Sequence, residues 1–253
     1  MKGNSFVLTV SQCKRLIAKG VAQLEVVKRA MRDGIVIVPR GSTNSYVLEE
    51  LLGQMIEKER YVSGFTVPAG SGVSFPERLP EVTFEKGKPL EGVTVGDAIQ
   101  RLGAGDVFIK GANALNYRAG IAAVLTRSRD GGTAGRALGP VIGRKAHWII
   151  PVGLEKEVPF DVLETSRILA STNSDESTPA LFPIPGEIFT EIEAVRVLFG
   201  LEAVPIGAGG IVGAEGSLRL YVYGEDSIVD RAAAFLASLQ QEPAYGEGLS
   251  AGN

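Results

Sequence analysis

From Ser11 to Lys58 the apolar positions change period twice. Leu16, Ile17, Val21, Leu24 and Val27 recur near helical spacing, which predicts a helix capped by Ser11, running to about Arg32 and ended by Asp33-Gly34. Ile35-Val36-Ile37-Val38 has no alternation, the pattern of a strand buried on both faces. Pro39 to Asn44 breaks that strand. A second helix is predicted from Ser45 to Lys58, with Val47, Leu48, Leu51, Leu52, Met55 and Ile56 facing inward.

Beyond Val62 the period fades into a Gly- and Pro-rich stretch reaching Pro89, where short strands and turns are expected. Regular patterns then return. Val95 to Leu102 reads as a short helix, and Asp106 to Ile109 and Ile121 to Thr126 as strands. A helix is predicted from the Gly131–Gly135 run to Ile142, a strand from His147 to Val152, and a helix from Phe160 to Ala170. The polar run Ser171 to Ser177 reads as a linker, or as a loop inside one domain. After it, Glu187 to Phe199 is predicted helical, Ala203 to Ile206 and Leu218 to Tyr223 as strands, and Asp226 to Leu239 as a helix.

The order implies an α/β fold, a mainly parallel sheet flanked by helices, over residues 1–178. A small two-layer α+β domain is expected over 179–240 and a flexible tail over 241–253.

Composition narrows the function classes. Glycine supplies 32 of 253 residues, about 13% against an average of about 7%, consistent with several tight ligand loops. The net charge of −3 argues against nucleic acid or an anionic membrane surface as partner. One cysteine, Cys13, and one histidine, His147, leave no internal disulfide, no Cys-based zinc site and no site needing two histidines; no metal and no cofactor are expected. Without a long apolar run or a signal-peptide pattern, the expected location is cytoplasmic.

Three loops carry the candidate chemistry. Gly41-Ser42-Thr43-Asn44 follows the first strand and opens a helix, so its backbone N–H groups favour an anion. Gly41 is expected to turn the chain with positive φ, although the same residues would serve a plain helix cap. Lys110-Gly111-Ala112-Asn113, continuing to Asn116-Tyr117-Arg118, follows the second strand. Gly132, Thr133 and Gly135 lie in a glycine-rich turn that starts another helix. If the parent strands run parallel, their carboxyl ends share one sheet edge, and the three loops should meet in one cleft. The expected ligand is a small phosphorylated or carboxylated metabolite.

Other candidates read as structural. His147 heads an apolar strand, Cys13 sits inside a helix, and Glu155 to Glu157 form a turn that solvent alone would explain. Gly207 to Gly210 is followed by no helix, which fails the context test for a dinucleotide loop.

The strand-GST-helix unit at Ile35 to Leu52 resembles the phosphate loop of ribose-5-phosphate isomerases, and KGAN falls where those enzymes carry Asp-Gly-Ala-Asp. HWIIPVGLEKEVPFDV, His147 to Val162, is similar to the lactate-utilisation (LUD) domain. Both belong to the NagB/RpiA/CoA transferase-like superfamily, whose resemblance covers about residues 11–170. It implies that superfamily's α/β fold, with the small C-terminal domain as a lid-like unit, and an isomerase- or acyl-transferase-like activity; the rival expectation is a regulatory or assembly subunit without catalysis, and a homodimer is a possible partner state. The chain departs from the pattern where chemistry is concerned. Lys110 and Asn113 replace the isomerases' two Asp, so no carboxylate base stands in that loop, and none of the three loops holds the Glu nucleophile a CoA transferase needs.

Overall fold

The computed structural model describes residues 1–68, 71–175 and 177–246. The chain runs through β1 (Lys2–Leu8), α1 (Val10–Gln23), α2 (Glu25–Asp33), β2 (Ile35–Val38), α3 (Ser42–Leu52), β3 (Val82–Glu85), β4 (Lys88–Pro89), α4 (Val95–Arg101), β5 (Val107–Ile109), β6 (Ala114–Asn116), β7 (Ile121–Thr126), α5 (Gly132–Gly143) and β8 (His147–Pro151). It continues through α6 (Val162–Ser171), β9 (Ala180–Ile184), β10 (Glu187–Phe189), α7 (Glu191–Phe199), β11 (Glu202–Ala208), β12 (Leu218–Gly224) and α8 (Asp226–Ser238).

The central sheet is mixed and mostly parallel, in the order β10-β8-β5-β2-β3-β4. The parallel part joins Val36 to Val107, Val107 to His147, and Ile149 to Glu187, so β2, β5, β8 and β10 lie side by side, while β7, which leads into the third candidate loop, lies in a different sheet. β3 and β4 extend it antiparallel. β2 and β5 are buried at every position, as continuous apolar runs require. Two smaller antiparallel sheets, β6-β7-β9 and β1-β12-β11, complete the fold.

Several boundaries move for local reasons. The first helix is capped by Thr9 instead of Ser11. The Gln12 side chain accepts from Thr9 N–H at 3.0 Å, and Thr9 Oγ1 accepts from Gln12 N–H at 3.4 Å. The predicted single helix breaks at Leu24, whose backbone is extended. The next helix starts at Ser42 and stops at Gly53, whose φ of 67° closes a left-handed cap; Met55 therefore lies outside the helix and is exposed. The predicted helix Glu187–Phe199 divides into β10 and α7, because a capping box at Thr190 and Glu193 starts the helix afresh.

The expected boundary near residue 178 does not coincide with a break in the sheets. β9 pairs with β7 and β10 with β8, both strands of the first 178 residues. β1, at the other end of the chain, pairs with β12 along its whole length. One apolar cluster spans Leu8, Leu16, Val36, Phe108, Leu220 and Val229. Residues up to 246 of the tail contact the body of the fold. Glu242 forms an ion pair with Arg15 at 2.8 Å, and Tyr245 lies beside Tyr46 with ring centroids 6.2 Å apart. Residues 247–253 of that tail, and Glu176 of the expected linker, lie outside the described residues. No described helix is long and apolar enough to cross a membrane.

Candidate functional site

The loops after β2 and β5 and the start of α5 wall one cavity of about 250 Å³. Nine of the ten residues singled out from the sequence line it: Gly41, Ser42, Thr43 and Asn44 from the first loop, Lys110, Gly111 and Asn113 from the second, and Gly132 and Thr133 from the third. Gly135 does not. A Cβ there would sit 1.8 Å from the carbonyl oxygen of Asp130, so the turn itself requires glycine at this position.

Two helices point their amino ends into the cavity. α3 has no side-chain cap at Gly41, and its first backbone bond runs from Ser45 N–H to Gly41 O at 2.8 Å. Ser42, Thr43 and Asn44 N–H thus have no acceptor within the helix. Gly41 has a φ of 176°, an extended conformation open to any residue, so the expected positive φ is not found. A Cβ there would meet only ordinary contacts at 3.6 Å. α5 likewise has no side-chain cap at Gly131. Asp130 takes the Gly132 N–H at 2.9 Å, and the Gly135 N–H bonds Gly131 O at 3.1 Å. The N–H groups of Thr133 and Ala134 remain without a helical acceptor.

The charged side chains on the cavity wall are Lys110, Arg136 and Lys156, and among the described residues no carboxylate joins them. Lys110 has no ion-pair partner among the described residues. Burial, and then the charge on Lys156, bring its ammonium down to about 8. Lys156 donates to the carbonyl of Ala112 at 2.8 Å, and burial lowers it too.

Asn44 is 1% exposed, and its amide orientation is settled by its neighbours. Nδ2 donates to Pro39 O at 2.7 Å and to Ile109 O at 2.8 Å. That leaves Oδ1 buried with no partner. Thr43 Oγ1, on a side chain 3% exposed, has none either. Unpaired buried polar atoms of this kind are uncommon, and these two lie on residues that line the cavity.

Asn113 lies at the rim with its Oδ1 accepting from Leu125 N–H at 3.0 Å, which turns that oxygen toward β7 and leaves Nδ2 free to donate. The rest of the second loop turns away. Tyr117 donates its hydroxyl to Glu193 at 2.7 Å, Asn116 reaches Phe160 O at 3.3 Å, and Arg118 is exposed.

The turn after β8 is not the solvated turn its sequence suggests. Only Glu157 is exposed, accepting from Tyr117 N–H at 2.9 Å. The Glu155 carboxylate folds over Gly153, where a Cβ would lie 1.7 Å from Oε2, and both its oxygens are buried without partners. Behind it Glu191, fully buried, accepts from Leu154 N–H at 3.0 Å. Burial and the Glu155 charge raise Glu191 to about 7, and burial together with Glu191 pushes the Cys13 thiol up. Lys156 is the site residue the sequence reading set aside. The signal was there in Gly153, whose missing side chain lets Glu155 fold inward.

His147 pairs with Glu187 at 3.2 Å, at the end of β8 opposite the cavity. Among the described residues no group of three or more His, Cys, Asp or Glu is placed to hold a metal ion. No protein-family model matches the chain, and no curated protein matches it with significant similarity.

Proposed function

We propose that the protein binds a small phosphorylated or carboxylated metabolite in this cleft, on a fold of the NagB/RpiA/CoA transferase-like kind. One observation carries the reading. Two helix N-termini with free backbone N–H groups and three cations converge on a cavity with no acidic side chain in its described wall. Helix dipoles and unpaired N–H groups favour negative charge, and ammonium groups crowded together without counter-ions favour it further. The superfamily assignment is supported by the parallel strands β2 and β5, whose carboxyl ends supply the first two loops, and by the GST, KGAN and GLEK segments; the third loop follows β7 of a separate antiparallel sheet.

If the bound molecule is transformed, Lys110, with its ammonium brought down to about 8, is a group in the cleft placed to exchange a proton. A second reading, a regulatory or assembly subunit that binds without turnover, is favoured by the missing carboxylate and by the engaged Asn113 Oδ1.

The test is a thermal-shift series with sulfate, phosphate, sugar phosphates and 2-hydroxy acids on the wild type and on Lys110→Met. Binding to the native state raises the melting temperature by mass action. At least one anion is expected to stabilise the wild type and not the variant. No shift with any anion at millimolar concentration would sink the reading.

A further inference from the structure

The anion cavity is not closed on its outer side. A trough of about 770 Å³ adjoins it, and the two share Gly64, Asn113, Leu125 and Thr126 as walls. The chemistry changes across that shared wall. The trough adds Phe65, Val67 and Pro179, with Arg78 and Arg127 at its margins, and no acidic side chain lines its described part.

Three of its apolar side chains are exposed to an extent unusual beside a charged cleft: Phe65 at 42%, Val67 at 39% and Leu125 at 41%. Two of them are fixed in place. Phe65 stacks on Phe75 with ring centroids 3.8 Å apart and an interplanar angle of 30°. The Leu125 backbone is pinned by its N–H donating to Asn113 Oδ1 at 3.0 Å. Neither Arg78 nor Arg127 makes an ion pair among the described residues. An ordered aromatic face, aliphatic walls and uncommitted guanidinium groups form a surface suited to a planar apolar group. Such a group gains from burial, from ring stacking and from cation–π contact.

We propose that the ligand is bipartite: an anionic head held in the cavity and, attached to it, an aromatic or heteroaromatic group lying in the trough against Phe65. This inference rests on the anion-binding reading above and narrows its substrate class from small sugar phosphates to aryl- or heteroaryl-bearing phosphates and carboxylates. The size of the two spaces supports the division. A cavity of about 250 Å³ lined by N–H groups and ammoniums suits the head, while the larger trough holds the apolar side chains.

The experiment is calorimetric titration of the full chain with inorganic phosphate, glycerol phosphate, 1-naphthyl phosphate and 1-naphthol, repeated on Phe65→Ala and Lys110→Met. Phe65 is half exposed in a loop, so its truncation is expected to leave the fold intact. The wild type should bind 1-naphthyl phosphate about tenfold or more tighter than glycerol phosphate, the scale of one aromatic stacking partner. Phe65→Ala should erase that advantage while leaving phosphate affinity unchanged, and Lys110→Met should weaken both phosphates. Equal affinity for the two esters, or an advantage that survives Phe65→Ala, would overturn the bipartite ligand and leave the anion site standing. Naphthol binding as tightly as its phosphate would also overturn it. Failure of every phosphate to bind would remove the anion reading and the inference together.

Discussion

Asn44, at the start of α3, reaches across the sheet edge and donates an Nδ2 hydrogen to the carbonyl of Ile109, the last residue of β5, at 2.8 Å. The other hydrogen goes to Pro39 O at 2.7 Å. One side chain therefore ties the first candidate loop to the strand that leads into the second, and its unpaired oxygen remains beside the cavity. Asn44→Asp removes both donors and adds a buried negative charge where an anion is expected to bind. The expected cost is on the order of 2–4 kcal/mol, read as a lower urea midpoint, together with loss of sulfate binding. An unchanged midpoint would show that the bridge does not hold the loops.

Lys110 links binding to pH. Its ammonium lies near 8, and a bound anion favours the charged form. Sulfate, which does not itself titrate in this range, should bind about tenfold more weakly at pH 9 than at pH 7 as Lys110 loses its proton. In Lys110→Met the affinity should be lower throughout and the Lys110 step should vanish, leaving only the contribution of Lys156. Titration calorimetry across that interval decides it, and a wild-type affinity constant from pH 7 to 9 would contradict the assignment.

Glu191 links stability to pH in the opposite sense from a salt-bridged carboxylate. Its native value is raised from 4.5 to about 7, so between those limits the folded chain holds the proton more tightly than the unfolded chain does. This contribution is full below pH 4.5 and is lost as pH rises through 7, with an amplitude on the order of 3 kcal/mol. Glu191→Gln should be flatter than the wild type between pH 5 and 7.5 and more stable than it at pH 8. Urea unfolding at four pH values across the range measures both slopes, and parallel curves would refute the linkage.

Two glycines of the candidate site should respond differently to the same change. Gly135→Ala places a methyl group within bonding distance of the Asp130 carbonyl and must displace the turn that starts α5. A loss of about 1–3 kcal/mol and weaker anion binding are expected. Gly41→Ala meets contacts of 3.6 Å on an extended backbone, and its stability should stay within about 0.5 kcal/mol of wild type. Equal destabilisation of the two would mean that the close approach at Gly135 is not what demands glycine.

The end of the described chain is a fastener. Glu242 accepts from Arg15 Nε at 2.8 Å and lies 3.6 Å from Lys58, and both cations are at least nine-tenths buried. Glu242→Gln weakens the charge compensation of Arg15, whose guanidinium still has Glu49 and Glu50. A loss of about 1–3 kcal/mol is expected in urea unfolding. No measurable loss would show that Glu49 and Glu50 alone compensate these cations.

The strands β2, β5 and β8, and the loops that follow the first two, were legible in the chain itself. A β-branched run without alternation has few alternatives to a strand covered on both faces, and the polar residues that end it must lie at its carboxyl end. Local signals also placed α5 and α8. What the chain could not announce were partnerships between residues distant in sequence. The pairing of β1 with β12 joins the first strand to the last, and no pattern within residues 2–8 names its partner. The caps, by contrast, were legible: Thr9 has Gln12 and Thr190 has Glu193 three positions on, the capping-box pattern, whereas Ser11 has Lys14. Lys156 and Glu155 look like any charged turn. They enter the interior because Gly153 leaves room for one, a local contact, and the Ala112 carbonyl binds the other, a contact that depends on how β8 is positioned beside β5. Periodicity and turn chemistry are local, so the sequence by itself determined the α/β class, the parallel strands and the loops worth watching. Burial, charge crowding and close approach are properties of neighbours in space, and only the tertiary structure decided which of those loop residues face one another and which cations share the cleft.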